Sequence, residues 1–132
     1  MKRPGIKFMH KILYIDDNKS LTKLFKMLAE EKYYIPIIAH DYISGYEIAI
    51  ETSPDVILMD IHMQKGLSGF DLTAQFKTDP RLSSIPIIGC SVSYKEDGKK
   101  LALLGGYKFI NEKPTSLEKL NKILEGVLSP VC

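Results

Sequence analysis

Short apolar segments alternate with amphipathic helical segments along most of this chain, and that alternation restricts the possible folds more than any other feature of the sequence. Five segments rich in β-branched and aromatic residues are predicted strands. They span residues 11–15, 35–39, 56–59, 85–90 and 107–110. The third and fourth are apolar at nearly every position, which is typical of strands buried on both faces. Pro36 favours an edge position for the second strand.

Five helices are predicted between and after these strands. Leucine and phenylalanine residues at helical spacing predict the first one, with Asn18 or Ser20 as its N-cap. Two shorter helices are predicted over residues 43–50 and 70–76, each followed by polar residues and a proline, and a fourth over residues 99–104. In the last helix, Thr115 and Glu118 form a capping box ahead of an apolar stripe.

A regular alternation of strands and helices favours a parallel sheet, because right-handed crossover connections place helices on both of its faces. We therefore predict an α/β fold of the flavodoxin-like type, a three-layer sandwich with a five-stranded parallel sheet and five helices. The 132 residues suffice for one domain. We assign that domain to residues 10–132 and expect residues 1–9 to form a flexible tail.

Composition excludes several classes of protein. Hydrophobic residues make up 45% of the chain and charged residues 26%, as in ordinary globular domains. The net charge of +2 is small and the charges are interspersed, so the sequence does not indicate direct binding of nucleic acid or of a membrane surface. No apolar run reaches the roughly 20 residues of a transmembrane helix, and the expected location is the cytoplasm. Cys90 and Cys132 are predicted free thiols.

Polar residues that could form a site follow the predicted strands at their carboxyl ends. Asp16 and Asp17 follow the first strand, Asp60 the third and Ser91 the fourth, while Lys113 comes shortly after the fifth. Ligands of doubly wound sheets bind beyond these ends, and in flavodoxin-like sheets the first and third strands are neighbours, so the three carboxylates are expected to converge. Taken singly, the same residues would also fit a helix-capping turn, a loop hydroxyl and a solvated lysine.

Three carboxylates in close proximity repel one another, and a hard divalent cation relieves that repulsion. Mg²⁺ prefers oxygen ligands and keeps several waters, which suits carboxylates, a backbone carbonyl and a phosphate oxygen. The cation and Lys113 together would neutralise the three negative charges. Asp60 lies between an apolar strand and a loop with Gly66 and Gly69, where its carboxylate could attack phosphorus and form an aspartyl phosphate.

These residues lie in motifs that resemble those of the receiver domain (CheY-like) of bacterial two-component response regulators. The resemblance extends over nearly the whole chain and implies a parallel sheet of strand order 2-1-3-4-5. It is carried by Ile12-Leu13-Tyr14-Ile15-Asp16-Asp17-Asn18, by Val56-Ile57-Leu58-Met59-Asp60-Ile61-His62-Met63, by Ser68-Gly69, by Ile85-Pro86-Ile87-Ile88 ahead of Ser91, and by Lys113-Pro114.

The resemblance also implies a role for each site residue. Asp60 would be the phosphoacceptor, Ser91 the switch hydroxyl and Lys113 the cation that binds the phosphoryl group. The ligands of Mg²⁺ would be three carboxylates and one main-chain carbonyl: Asp16, acting partly through water, Asp17, Asp60 and His62. The implied phosphate donor is a histidine kinase or a histidine phosphotransfer protein. A downstream protein target would bind the face formed by the fourth helix, the fifth strand and the fifth helix.

Three departures from the usual receiver pattern occur near these residues. Gln64 stands where a proline is common, and Gly69 comes one residue late, which implies an insertion in the intervening loop. Val92 follows the switch hydroxyl in place of a smaller residue, and we expect it to slow phosphorylation by small donors and dephosphorylation. Ile110 holds the position of the aromatic switch, so either Phe109 serves through a one-residue shift or that switch is missing.

Two functions of different classes are consistent with these residues. In the first, the chain is a signalling switch that is phosphorylated on Asp60, a regulatory protein rather than an enzyme. In the second, it is a receiver-like binding module that works without phosphorylation and is recognised through Tyr94, Tyr107 and the last helix. A small hydrolase of the aspartyl-phosphate type would need a second carboxylate where His62 stands. We expect the chain to act by binding a partner or to be one domain of a longer protein.

Overall fold

A computed structural model describes residues 10–61, 69–91, 109–112 and 117–128 and shows a five-stranded sheet covered by helices. The strands are β1 (Lys11–Ile15), β2 (Ile35–Ala39), β3 (Val56–Asp60), β4 (Ile87–Ser91) and β5 (Phe109–Glu112). The helices within these ranges are α1 (Lys19–Glu31), α2 (Tyr42–Thr52), α3 (Gly69–Thr78) and the C-terminal helix (Leu117–Leu128). No helix in the described ranges has the length and apolar character needed to cross a bilayer.

All four strand pairings are parallel and give the order β2-β1-β3-β4-β5, which confirms the predicted flavodoxin-like topology. β1 and β3 are neighbours, with Ile15 opposite Met59. β3 also pairs with β4, with Asp60 opposite Cys90. The carboxyl ends of these three strands therefore meet at one end of the sheet, which we call the carboxyl end.

Alternate residues of the strands face opposite sides of the sheet and form two separate cores. One core lies under α2 and α3 and includes Leu13, Ile15, Ala49, Ile57, Met59, Leu72, Phe76 and Ile87. The other lies under α1 and the C-terminal helix and includes Ile12, Tyr14, Phe25, Ala29, Val56, Leu58, Ile88 and Leu124. β3 and β4 are buried at every position, as their apolar sequences predicted. Burial on both faces fixes these two strands and the side chains at their ends.

The boundaries of three strands differ from the predicted ones. β3 runs one residue further than predicted and includes Asp60. β4 begins at Ile87 rather than at residue 85 and extends to Ser91, so Ser91 lies within the strand instead of following it. β5 spans residues 109–112 instead of 107–110. The reason is that the backbone of β5 pairs with β4 as far as Glu112, opposite Ser91, whatever the polarity of the side chains. An apolar run therefore misplaces a strand whose last residues are polar.

The helices confirm the predicted segments with somewhat wider limits. α2 begins at Tyr42, and α3 extends through Thr78. Asn18 is the N-cap of α1, since its side chain accepts a hydrogen bond from the Leu21 amide at 3.0 Å, whereas Ser20 lies within the helix. Three predicted features lie outside the described residues: the tail at 1–9, the helix at 99–104 and the capping residue Thr115.

β2 is an edge strand, as Pro36 predicted. The amide of Ile35 donates to the carbonyl of His10 at 2.8 Å and therefore points towards β1. Successive amides of a strand point in opposite directions, so an N–H group at position 36 would face away from the sheet. Proline has no N–H group, so its presence at this position costs the sheet no hydrogen bond.

Gly45 allows α2 to pack closely against the last residue of β1. A Cβ atom at this position would lie 2.7 Å from Cδ1 and 3.0 Å from Cγ1 of Ile15. Ile15 is fully buried and directly precedes Asp16. Contacts this short force the neighbouring atoms to move, and overpacking of a dense core costs about 1–3 kcal/mol.

We predict that Gly45→Ala lowers the free energy of unfolding by about 1 kcal/mol, because the overpacking outweighs the gain in helix propensity. Gly126→Ala is the matched control, since a Cβ atom at Gly126 would have nothing within 4 Å. We expect the control to gain about 0.5–1 kcal/mol. Urea denaturation of the three proteins measures both changes, and equal stabilisation by the two substitutions would contradict the close packing.

Candidate functional site

Three aspartates meet at the carboxyl end of the sheet. Asp16 and Asp17 directly follow β1, and Asp60 is the last residue of β3. One carboxylate oxygen of each lies within 4.8 Å of the other two. Asp16 is fully buried and Asp60 is 3% exposed, whereas Asp17 is exposed. We call this group the acidic cluster; solvent reaches it at Asp17.

The turn after β1 sets the orientation of Asp16. The amide of Asp16 donates to the carbonyl of Ala39 at 3.0 Å and continues the hydrogen bonding between β1 and β2. Its Oδ1 accepts a hydrogen bond from the amide of Asn18 at 2.9 Å, and the side chain of Asn18 caps α1. The helix-capping turn that these residues could form on their own is therefore present, and it also places the carboxylate of Asp16.

Tyr14 provides a second contact to Asp16, which sequence reasoning missed. Its hydroxyl donates to Oδ2 of Asp16 at 2.7 Å. Burial, and then the nearby Cys90 and Asp16, raise the pKa of the Tyr14 phenol far above its usual value, so the hydroxyl keeps its proton. The available signal was a tyrosine two positions before an aspartate in an otherwise aliphatic strand, since residues two apart in a strand share a face.

Tyr42, the first residue of α2, contacts the backbone at the carboxyl end of β3. Its one hydroxyl proton is shared between two buried acceptors, the carbonyl of Asp60 at 2.5 Å and that of Ile61 at 3.1 Å. The amide of Ile61 in turn donates to the carbonyl of Cys90 at 3.0 Å. These bonds hold the main chain where it leaves the sheet after Asp60. Sequence reasoning missed Tyr42 as well, because its partners are backbone atoms that no side-chain pattern marks.

Ser91 lies at the same end of the sheet as the acidic cluster. It is the last residue of β4, 1% exposed, and follows Cys90, the register partner of Asp60. Two other predicted site residues, His62 and Lys113, lie outside the described residues, as do Gln64, Val92, Tyr94 and Tyr107. The side chains of Phe109 and Ile110 also fall outside the described part of the chain.

The chemistry of the acidic cluster fits a hard divalent cation. All its ligand atoms are carboxylate oxygens, which Mg²⁺ prefers. Two oxygens on opposite sides of one octahedral Mg²⁺ lie about 4.2 Å apart, because each Mg–O bond measures roughly 2.1 Å. Carboxylates within 4.8 Å of one another therefore need only small side-chain adjustments to share an ion.

The sequence matches a family model described as the response regulator receiver domain over residues 12–125. Among curated proteins, the chain is 34% identical to Protein PilH of Pseudomonas aeruginosa over 123 residues. Those residues make up 92% of this chain and 99% of PilH. The similarity thus extends over nearly the full length of both proteins.

Solved structures share the fold. The chain superimposes on the chemotaxis response regulator CheY4 of Vibrio cholerae with a TM-score of 0.82 and 24% identity, over 91% of this chain and 99% of that one. The receiver domain of a sensor histidine kinase from Pseudomonas aeruginosa gives a TM-score of 0.83 and 21% identity, over 92% and 99%. That crystal structure has a magnesium ion coordinated in its active-site cleft.

We predict that Tyr42→Phe lowers the free energy of unfolding by about 1–3 kcal/mol, because two buried carbonyls lose a hydrogen-bond donor. Tyr33→Phe is the control, since Tyr33 is 41% exposed and surface substitutions usually change stability by less than about 0.5 kcal/mol. Chemical denaturation followed by circular dichroism measures the difference. Two variants of equal stability would show that the Tyr42 hydroxyl does not stabilise the end of β3.

Proposed function

The chain belongs to the response regulator receiver domain family, and on this basis we propose that it is a phosphorylation-dependent switch of a two-component or phosphorelay system. Members of this family are regulatory signalling proteins and not classical enzymes. In this proposal Asp60 accepts a phosphoryl group from a histidine kinase or a histidine phosphotransfer protein in the cytoplasm. Residues 10–132 form the switch domain, residues 1–9 form its tail, and Mg²⁺ is the cofactor.

One observation carries the proposal: three aspartates from two neighbouring strands present oxygens within 4.8 Å of one another at the carboxyl end of the sheet. Like charges at this distance repel, and a cation bound among them would offset that repulsion. Doubly wound sheets bind their ligands at this end, where the order of the strands reverses. A site for a cation and an anionic group accounts for both facts.

The residues that would hold Mg²⁺ are Asp16, Asp17 and Asp60, with the main-chain carbonyl of His62. When bound, the cation supplies positive charge that offsets the negative charge of the phosphoryl oxygens. Asp17 is exposed and leaves the ion a route from solvent. Both oxygens of Asp16 already accept a hydrogen bond, which supports a contact made partly through water.

Asp60 is the proposed nucleophile. One of its carboxylate oxygens attacks phosphorus and forms an O–P bond, while the P–N bond of the donor phosphohistidine breaks and its electron pair passes to the imidazole. The hydroxyl of Ser91 and the ammonium group of Lys113 would then stabilise the phosphoryl oxygens. Burial of β3 and the hydrogen bonds from Tyr42 support this step, because they keep the nucleophile in position.

The output of the switch would be a change in the population of two conformations. We propose that Ser91 links the phosphoryl group to the face formed by the segment between β4 and β5, β5 itself and the C-terminal helix. A downstream protein would bind this face in the phosphorylated state. The alternative is a module whose target binds regardless of phosphorylation.

We predict that a small phosphodonor with Mg²⁺ adds the mass of one phosphoryl group to the native chain and none to Asp60→Asn. Asp55→Asn is the matched control, because Asp55 precedes the opposite end of the same strand, where it accepts a hydrogen bond from the amide of Lys11. Intact-mass measurement compares the three proteins. Equal modification of Asp60→Asn and the native chain would contradict the assignment, and no modification of any would favour the phosphorylation-independent module.

We predict that Mg²⁺ raises the free energy of unfolding by about 2.7 kcal/mol when present at 100 times its dissociation constant. Asp17→Asn should remove most of this gain, since it deletes a proposed ligand. Asp17 is exposed, so the substitution opens no cavity in the core. Denaturation in Mg²⁺ and in EDTA measures the gain for each protein, and the same gain in both would exclude Asp17 as a ligand.

A further inference from the structure

The buried phenol of Tyr14 lies against the acidic cluster from within the core. Its hydroxyl donates to Oδ2 of Asp16 at 2.7 Å, and the residue is 8% exposed. Its ring packs edge-on against Phe25 of α1, with ring centroids 5.2 Å apart and ring planes at 74°. The contact with Phe25 fixes the ring, and the ring in turn fixes the position of the hydroxyl.

Asp16 depends on hydrogen-bond donors within the protein, because water does not reach its carboxylate. It is fully buried, and a buried carboxylate is costly unless hydrogen bonds satisfy its oxygens. The phenol of Tyr14 donates a hydrogen bond to Oδ2, and the amide of Asn18 donates one to Oδ1. Each oxygen of Asp16 thus has a donor in a defined direction. Charge-assisted hydrogen bonds of this kind orient a carboxylate strongly.

We propose that Tyr14 is a positioning residue for the divalent cation, which it serves by holding the carboxylate of Asp16 in the orientation that the acidic cluster requires. This inference rests on the proposed function, since it assumes that the cluster binds Mg²⁺. Groups that hydrogen-bond to a metal ligand fix its direction, and their removal typically weakens metal binding by 10–100-fold. A purely structural tyrosine would affect stability and leave the affinity unchanged.

The structure offers a matched pair of variants. Tyr14→Phe removes the hydroxyl and keeps the ring against Phe25. Tyr46→Phe removes the same group from a tyrosine that also donates to a carboxylate, that of Asp79, and also packs against a phenylalanine, Phe76. Asp79 lies outside the acidic cluster, so the control reproduces the loss of a phenol–carboxylate bond without touching the proposed metal ligands.

The experiment is a calorimetric titration of Mg²⁺ into the native chain, Tyr14→Phe and Tyr46→Phe. We expect the dissociation constant of Tyr14→Phe to rise about tenfold and that of Tyr46→Phe to stay at the native value. An unchanged dissociation constant for Tyr14→Phe, with normal binding by the native chain, would overturn the role of Tyr14 and leave the proposed function standing. No binding of Mg²⁺ by the native chain would overturn both.

A second measurement applies if Tyr14→Phe does not fold. The native chain is labelled with ¹³C at the Cζ atom of tyrosine, and Mg²⁺ is added while the resonances are followed by NMR. Because the hydroxyl of Tyr14 contacts a proposed ligand, we expect its Cζ resonance to shift as the ion binds, while that of Tyr46 stays in place. Binding of Mg²⁺ with no change at Tyr14 would refute the proposal.

Discussion

Mutual repulsion of three carboxylates at the carboxyl end of the sheet is the constraint on which the site depends. Asp16 and Asp60 are almost completely buried, so water screens their charges poorly. What keeps them together is the parallel pairing of β1 and β3, whose apolar side chains are buried in the cores on both faces. The hydrophobic burial of two strands thus supplies the free energy that opposes the repulsion. A bound cation would reduce the repulsion between the carboxylates.

Contacts from both faces of the sheet support the ends of these strands. From the side of α1, the phenol of Tyr14 and the amide of Asn18 reach the carboxylate of Asp16. From the side of α2, Tyr42 reaches the carbonyls after β3, and Gly45 lets the helix approach Ile15. The N-terminal ends of two helices therefore contribute to the site: the N-cap residue of α1 donates to Asp16, and the first turn of α2 holds the chain after β3.

The sequence was sufficient to predict the architecture and the composition of the acidic cluster. Apolar periodicity marks the buried strands, and aspartates at the ends of β1 and β3 are visible without coordinates, although the strand order came from the family resemblance. The limits of β5 were wrong because backbone pairing extends through Asn111 and Glu112, which carry no apolar signal. The roles of Tyr14 and Tyr42 depend on which atoms the folded chain places within hydrogen-bond distance, and a linear pattern does not contain that information.

The proline of β2 has a consequence for the protein in solution. The exposed rim of a sheet can recruit a strand from another molecule, and such recruitment starts aggregation. Pro36, the second residue of β2, has no N–H group. A strand from another molecule therefore finds no hydrogen-bond donor at this position of the exposed rim. Pro36 thus costs the sheet no hydrogen bond to β1 and also disfavours growth of the sheet across molecules at high concentration.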